Sequence, residues 1–308
     1  MKGISTINVD FMTNFIDIFL MRVVPVIKKF PFNGWIGLLL VILFWSLNWL
    51  LGGLRTHLLF FPLWLGYCLT IDALVFLRKG NSLLTRNWKA YASLFIISAP
   101  SWWLFEMLNS FTQNWQYLGR EHFTQLEYSL LETLSFTTVV PAVFGTAEFA
   151  STFKWIKNLK RGIKIEPSSK TLLIFLVLGW GMLALLIILP EYFFPFMWLS
   201  VYFILEPVNV WLKNKSLLEY TAKGDWHPII SLWIGCLICG FFWEMWNYFS
   251  YPKWIYEVPF VNFMHIFEMP LLGYLGYLPF SLELFAMYQL VIKLFPERFK
   301  CELGIFNQ

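Results

Sequence analysis

Apolar residues in this chain run in long, nearly unbroken stretches separated by short polar connections. The segments 34–54, 57–78, 91–110, 128–150, 171–190, 192–213, 228–249 and 263–294 are each dominated by Leu, Ile, Phe, Trp, Val and Ala. Crossing the hydrocarbon core of a bilayer takes roughly 20 mostly apolar residues, so each segment is long enough. In lipid every backbone N–H and C=O must be satisfied within its own segment, which makes such runs helices rather than barrel strands. The pattern therefore predicts an all-α integral membrane protein of eight transmembrane helices. Composition agrees: 14% of the 308 residues are charged, against about a quarter in soluble domains.

Charge placement adds an orientation. Twenty of the 23 Lys and Arg fall in the N-terminal stretch, the 78–90, 154–170 and 213–223 connections and the C-terminus, leaving Arg55, Arg120 and Lys253 for the opposite side. Cytoplasmic loops carry such an excess, so both termini are expected in the cytoplasm, with the chain in a plasma membrane of the bacterial inner type. The net charge of +4 is then topogenic and calls for no nucleic acid. Residues 1–33 contain an apolar stretch interrupted by Asp17, Arg22 and Pro25, which reads as an interfacial segment rather than a cleavable signal. The pair Cys236-x-x-Cys239 sits inside an apolar run, where small buried side chains are expected and no metal is assigned.

The chain repeats itself. Phe60-Phe61-Pro62-Leu63-Trp64 is echoed by Phe193-Phe194-Pro195-Phe196-Met197-Trp198, and Ser82-Leu83-Leu84 by Ser216-Leu217-Leu218. Phe105-Glu106-Met107-Leu108-Asn109 matches Trp243-Glu244-Met245-Trp246-Asn247, Trp115-Gln116-Tyr117 matches Trp254-Ile255-Tyr256, and Glu148-Phe149 answers Glu283-Leu284-Phe285. The offset stays between 133 and 139 residues, as one duplication would leave it. With four spans per copy, the second enters the membrane in the same sense as the first. The expected organisation is an N-terminal segment 1–33, repeat 1 over 34–150, a basic linker 151–170, repeat 2 over 171–294 and a cytoplasmic tail 295–308: two parallel four-helix tandem repeats.

Eight of the 19 acidic residues fall inside the expected spans, and the duplication pairs them: Asp72 with Glu206, Glu106 with Glu244, Glu132 with Glu268, Glu148 with Glu283. An acid at a helix centre costs roughly 2.5–3.5 kcal/mol on insertion scales, so these groups are expected to face the bundle interior. No Lys or Arg lies inside the spans to neutralise them, and a carboxyl buried without a cation favours its neutral, proton-donating form. The competing structural reading is that Glu106 with Asn109, and Glu244 with Asn247, bond across helices and hold the halves together. Glu132 and Glu268 lie near outer span ends and weigh toward structure; His265, three residues before Glu268, reads as a satisfied polar group more than as a residue that orients the acid. The aromatics around the Glu-x-x-Asn sites suit either an interfacial belt or a π-lined pocket for a cation. Gly179-Trp180-Gly181 reads as helix packing, with no dinucleotide fingerprint around it.

The order acid, Trp-x-Tyr, then a Pro-containing stretch leading to Glu and Phe occurs in each half: Glu106, Trp115 and Tyr117, Pro141, Glu148 and Phe149; then Glu244, Trp254 and Tyr256, Pro279, Glu283 and Phe285. Over about 50 residues per half this resembles the small membrane-embedded lycopene cyclases of the heterodimeric or fused type. It departs from them in having a single Glu where that family doubles it, and an additional span per half. The resemblance implies an isomerase-type, redox-neutral isoprenoid cyclisation without cofactor: a neutral carboxylic acid protonates a terminal C=C, a neighbouring double bond closes the ring, and a carboxylate removes a proton. Glu244 and Glu283 are then the expected acid and base, with Glu106 and Glu148 their counterparts. Asn109, Trp115, Tyr117, Asn247, Trp254, Tyr256, Asp72 and Glu206 are expected to bind an apolar, isoprenoid-like substrate drawn from membrane lipid. Two other functions fit the same residues, a proton-coupled carrier or lipid-handling protein and a membrane scaffold.

Overall fold

The computed structural model describes residues 29–306; residues 1–28 of the N-terminal segment expected to be interfacial lie outside the described residues. Helix α1 (Phe32–Leu50) starts behind Pro31 and buries only Gly34, Gly37 and Asn48, so the rest of its surface suits lipid. It lies close along α2 (Thr56–Lys79). A Cβ on Gly37 would stand 2.7 Å from the carbonyl oxygen of Gly66, and one on Gly66 2.9 Å from that of Gly37, so these glycines set the approach of the two backbones. Arg78 and Lys79 end α2 before Gly80 at φ 75, where cations meet the negative end of the helix dipole.

Asn87 caps α3 (Trp88–Thr112), accepting from the N–H groups of Lys89 and Ala90. The Thr124/Glu127 capping box starts α4 (Gln125–Phe136), which turns at 137–138 into α5 (Val139–Ser151). The second half opens with α6 (Ser169–Ile188), capped by Ser168 and burying only Leu172, Gly179 and Leu186. A Cβ on Gly179 would come within 2.8 Å of Ile204, whereas one on Gly181 meets nothing. The helix-packing expectation for that Gly pair therefore holds for Gly179 alone. Then come α7 (Ser200–Trp211), α8 (His227–Tyr248) and α9 (Tyr277–Ile292).

Among the described residues six helical segments are long and apolar enough to cross a membrane, with one bent pair in addition, which makes this a helical, multi-pass membrane protein. The bent pair is Pro190–Trp198 with Ser200–Trp211, turning by 40°, so the stretch 192–213 is not the single straight helix expected. Pro195, inside Phe194–Trp198, removes a backbone donor there. Residues 263–270 are not helical either. Phe260, Met264 and Phe267 have positive φ, and the short strands His265–Ile266 and Met269–Pro270 pair there before a 3₁₀ turn over Leu271–Gly276 leads into α9.

The tail packs against the helices. Leu303 and Ile305 are buried, the Tyr288 hydroxyl donates to the Cys301 carbonyl, and the Gly304 N–H donates to Glu148. The two halves meet chiefly along α5 and α8, where a Cβ on Gly235 would stand 2.5 Å from the Ala147 nitrogen. Cys239 is buried nearby, its Sγ against Thr146 Oγ1 and the Tyr67 hydroxyl.

Candidate functional site

The two Trp-x-Tyr elements are strands. β1 (Trp115–Leu118) follows α3, β2 (Lys253–Tyr256) follows α8, and they pair antiparallel with Trp115 opposite Tyr256 and Tyr117 opposite Trp254. The same device anchors each strand to its helix. The Asn109 amide donates to the Trp115 carbonyl at 2.9 Å and accepts the Trp115 N–H at 3.3 Å. Asn247 does likewise with Trp254, at 2.7 and 3.0 Å. Alternation along a strand puts Trp and Tyr on one face, and that face is turned to the acid one helical turn before the Asn.

In the first half Glu106 Oε1 accepts three hydrogen bonds, from Trp102 Nε1 (2.8 Å), Trp115 Nε1 (3.2 Å) and the Tyr117 hydroxyl (2.5 Å). In the second half Glu244 Oε1 accepts from the hydroxyls of Tyr256 (2.8 Å) and Tyr277 (2.7 Å). Glu244 is fully buried, and its Oε2 has no hydrogen-bond partner among the described residues. Burial, with the neighbouring carboxylates second, holds the phenols of Tyr117 and Tyr256 well above their ordinary value, so both keep the proton they donate.

Between the halves lies a cavity of about 160 Å³. Phe60, Trp102, Trp115, Tyr117 and Phe136 wall it from the first half, and Trp198, Trp243, Trp254, Tyr256 and Tyr277 from the second. Two carboxyl groups line it, Glu244 and Glu132. Lys253 also reaches it and is ion-paired with Glu268. His57 lines it with Nδ1 unpartnered, its ring edge-on to Phe123 at 4.6 Å. Glu106 is not in the wall; it stands behind Trp102, Trp115 and Tyr117, which are.

The remaining candidates lie elsewhere. Glu283 Oε1 accepts the Val201 N–H at 3.1 Å, closing the start of α7 just after the bend; the residue is fully buried and away from the cavity wall. Glu148 is held by Arg86 through both oxygens at 2.7 Å, by Lys79 at 3.2 Å and by the Gly304 N–H at 3.1 Å. The expectation that the membrane acids lack cations fails for Glu148, because Arg86 folds back from the 80–87 connection and Lys79 reaches it from the end of α2. Asp72 accepts from Ser82 Oγ (2.7 Å) and the Leu84 N–H (3.0 Å), and Glu206 from Ser216 Oγ (2.8 Å) and the Leu218 N–H (2.9 Å). Both organise turns, and neither lines the cavity. His265 is a satisfied polar group, its Nε2 meeting Asn262 Oδ1, and it does not orient Glu268.

Of the residues singled out in the sequence, then, Glu244, Trp115, Tyr117, Trp254 and Tyr256 meet at one cavity, with Asn109 and Asn247 positioning the strands. Glu283, Glu148, Asp72 and Glu206 serve other places. Sequence reasoning did not place Tyr277 and Trp198 at the site, and it weighed Glu132, which lines the cavity, toward structure. Trp198 closes the repeated Phe-Phe-Pro element, which was the available signal; Tyr277 had none, because nothing in the first half matches it. No family model matches the chain, and comparison with curated proteins and with solved structures returns no match.

Proposed function

We propose that this chain is a membrane-embedded acid–base enzyme that cyclises an apolar, isoprenoid-like substrate, with Glu244 as the acid. The observation that carries the reading is the fully buried Glu244, held through Oε1 by two phenols with Oε2 unpartnered, a residue that lines an aromatic-walled cavity. A carboxyl that accepts both phenols on one oxygen can hold its proton on the other. Delivery of the Glu244 proton to a terminal C=C leaves a tertiary carbocation on the substrate. The neighbouring double bond attacks it, forming the ring bond and moving the charge one step along. The Glu244 carboxylate then removes a proton from the adjacent carbon. One proton enters, one leaves, and the product is an isomer of the substrate. Aromatic faces stabilise a desolvated cation by about 2 kcal/mol each where well placed, and dry walls keep water from capturing it.

The proposed membrane arrangement supports this chemistry. Six spans, the bent pair and the 25-residue α3 make eight, four in each of two parallel repeats with both termini cytoplasmic. The matched Asn109/Asn247 and Asp72/Glu206 hydrogen bonds favour that duplication, and the β1–β2 register fits a two-fold relation between the halves. The cavity then sits toward the outer side, open to a substrate that arrives through lipid, as the resemblance to membrane-embedded lycopene cyclases implies.

The test is mass spectrometry of apolar small molecules extracted from purified protein, wild type against Glu244→Gln. An isoprenoid that is cyclic with the wild type and accumulates in linear form with the variant supports the reading. Phospholipid alone in both samples overturns it and leaves a carrier or scaffold.

A further inference from the structure

The halves differ at one matched pair of positions in a way that bears on which of them reacts. Four residues before Glu106 stands Trp102, whose indole bonds Glu106 from the same helix at 2.8 Å. Four residues before Glu244 stands Gly240. A Cβ on Gly240 would lie 2.4 Å from Cε2 and 2.8 Å from Cζ of Tyr277, so the Tyr277 ring fills the space a side chain would take there. By the offset that relates Glu148 to Glu283, the first-half counterpart of Tyr277 is the fully buried Ala142. Large and small have changed places: Trp102 with Ala142 in one half, Gly240 with Tyr277 in the other. The donor to the acid accordingly comes from its own helix in the first half and from α9 in the second.

We propose that Tyr277, seated over Gly240, is the positioning residue that makes the second half the reacting one, holding Glu244 by Oε1 so that Oε2 carries the proton toward the cavity. This rests on Glu244 being the acid. Tyr277 and Tyr256 converge on one oxygen from two elements, which fixes the rotation of the carboxyl and leaves the other oxygen as the site of the transferable proton. Glu106 also takes its donors on Oε1, but it stands behind Trp102, Trp115 and Tyr117 and does not line the cavity.

The test is infrared difference spectroscopy on the full-length protein in lipid, with the Glu244 carboxyl band assigned by its loss in Glu244→Gln. Tyr277→Phe keeps the ring over Gly240 and removes the donor. It is expected to move the band to higher frequency and to lower product formation about tenfold, the size of one lost hydrogen bond to a charge-bearing group. Gly240→Ala, which crowds the ring and leaves both hydroxyls, is expected to shift the same band. An unchanged band and rate in Tyr277→Phe would overturn the proposal, as would the absence of any Glu244 band in the protonated-carboxyl region. A band that shifts while no variant and no wild type makes product keeps the positioning role and removes the cyclase reading, so the two fail separately.

Discussion

Glu106 and Glu244 occupy matched places, one turn before a strand-clamping Asn and beneath a Trp-x-Tyr strand, yet they are bonded differently. Glu106 takes three donors on Oε1 and stands outside the cavity wall; Glu244 takes two phenols on Oε1, has no partner on Oε2, and is one of the residues that line the cavity. The matched elements thus share a framework and differ in how each acid is bonded. The acid in the first half ties strand to helix, and the acid in the second is the proposed proton donor. The pair Glu148 and Glu283 has diverged as well, one into an ion-paired anchor and the other into a helix cap.

The largest contrast should be in activity. Glu244→Gln is expected to lower product formation by about 10²–10⁴, the usual contribution of a general acid, with folded protein recovered in normal yield. Glu106→Gln should leave turnover within a few-fold and instead lower thermal stability in detergent. Equal activity losses in the two variants would erase the distinction between the halves. Glu132→Gln tests whether the second carboxyl of the wall takes part, with an expected loss smaller than that of Glu244→Gln.

Stability should separate the other acidic pair. Glu148→Gln removes the charge that Arg86 and Lys79 surround, and breaking a buried pair by deleting one partner costs about 3–5 kcal/mol; Glu283→Gln keeps an acceptor for the Val201 N–H and should cost about 1 kcal/mol. Denaturant or thermal unfolding in detergent reads both. Asn109→Ala and Asn247→Ala each lose two bonds to a strand, and the matched geometry predicts matched losses of about 1–3 kcal/mol. The smallest effects belong to Asp72→Asn and Glu206→Gln, which retain an acceptor for the Ser and backbone donors and should each cost about 1 kcal/mol or less.

The spans were legible because hydrocarbon leaves a chain few choices: long apolar runs must be helices. The Glu-x-x-Asn and Trp-x-Tyr matches were legible because each occurs twice in the same order, although nothing in four residues such as Trp115–Leu118 distinguishes a strand from a loop until its partner is known. Partners distant in sequence were not legible. Arg86 reaches Glu148 across 62 residues, and the tail inserts Gly304 beside the same acid. Tyr277 reaches Glu244 across 33 residues by way of a glycine, and repeat matching passes over it because Ala142 stands in its place. Pro195 bends the span that its counterpart Pro62 leaves as one helix, so even a matched residue acts differently when its neighbours differ.

The central claim, that Glu244 protonates an apolar substrate which then closes a ring, is tested most directly by running the reaction in heavy water. Membranes containing the wild-type protein, supplied with a linear isoprenoid, should form a cyclic product of unchanged mass in H₂O. In D₂O, with the carboxyl exchanged, that product should carry one deuterium in place of one hydrogen for each ring closed, and Glu244→Gln should form neither. A cyclic product without deuterium, or the same labelled product from Glu244→Gln, would contradict the account.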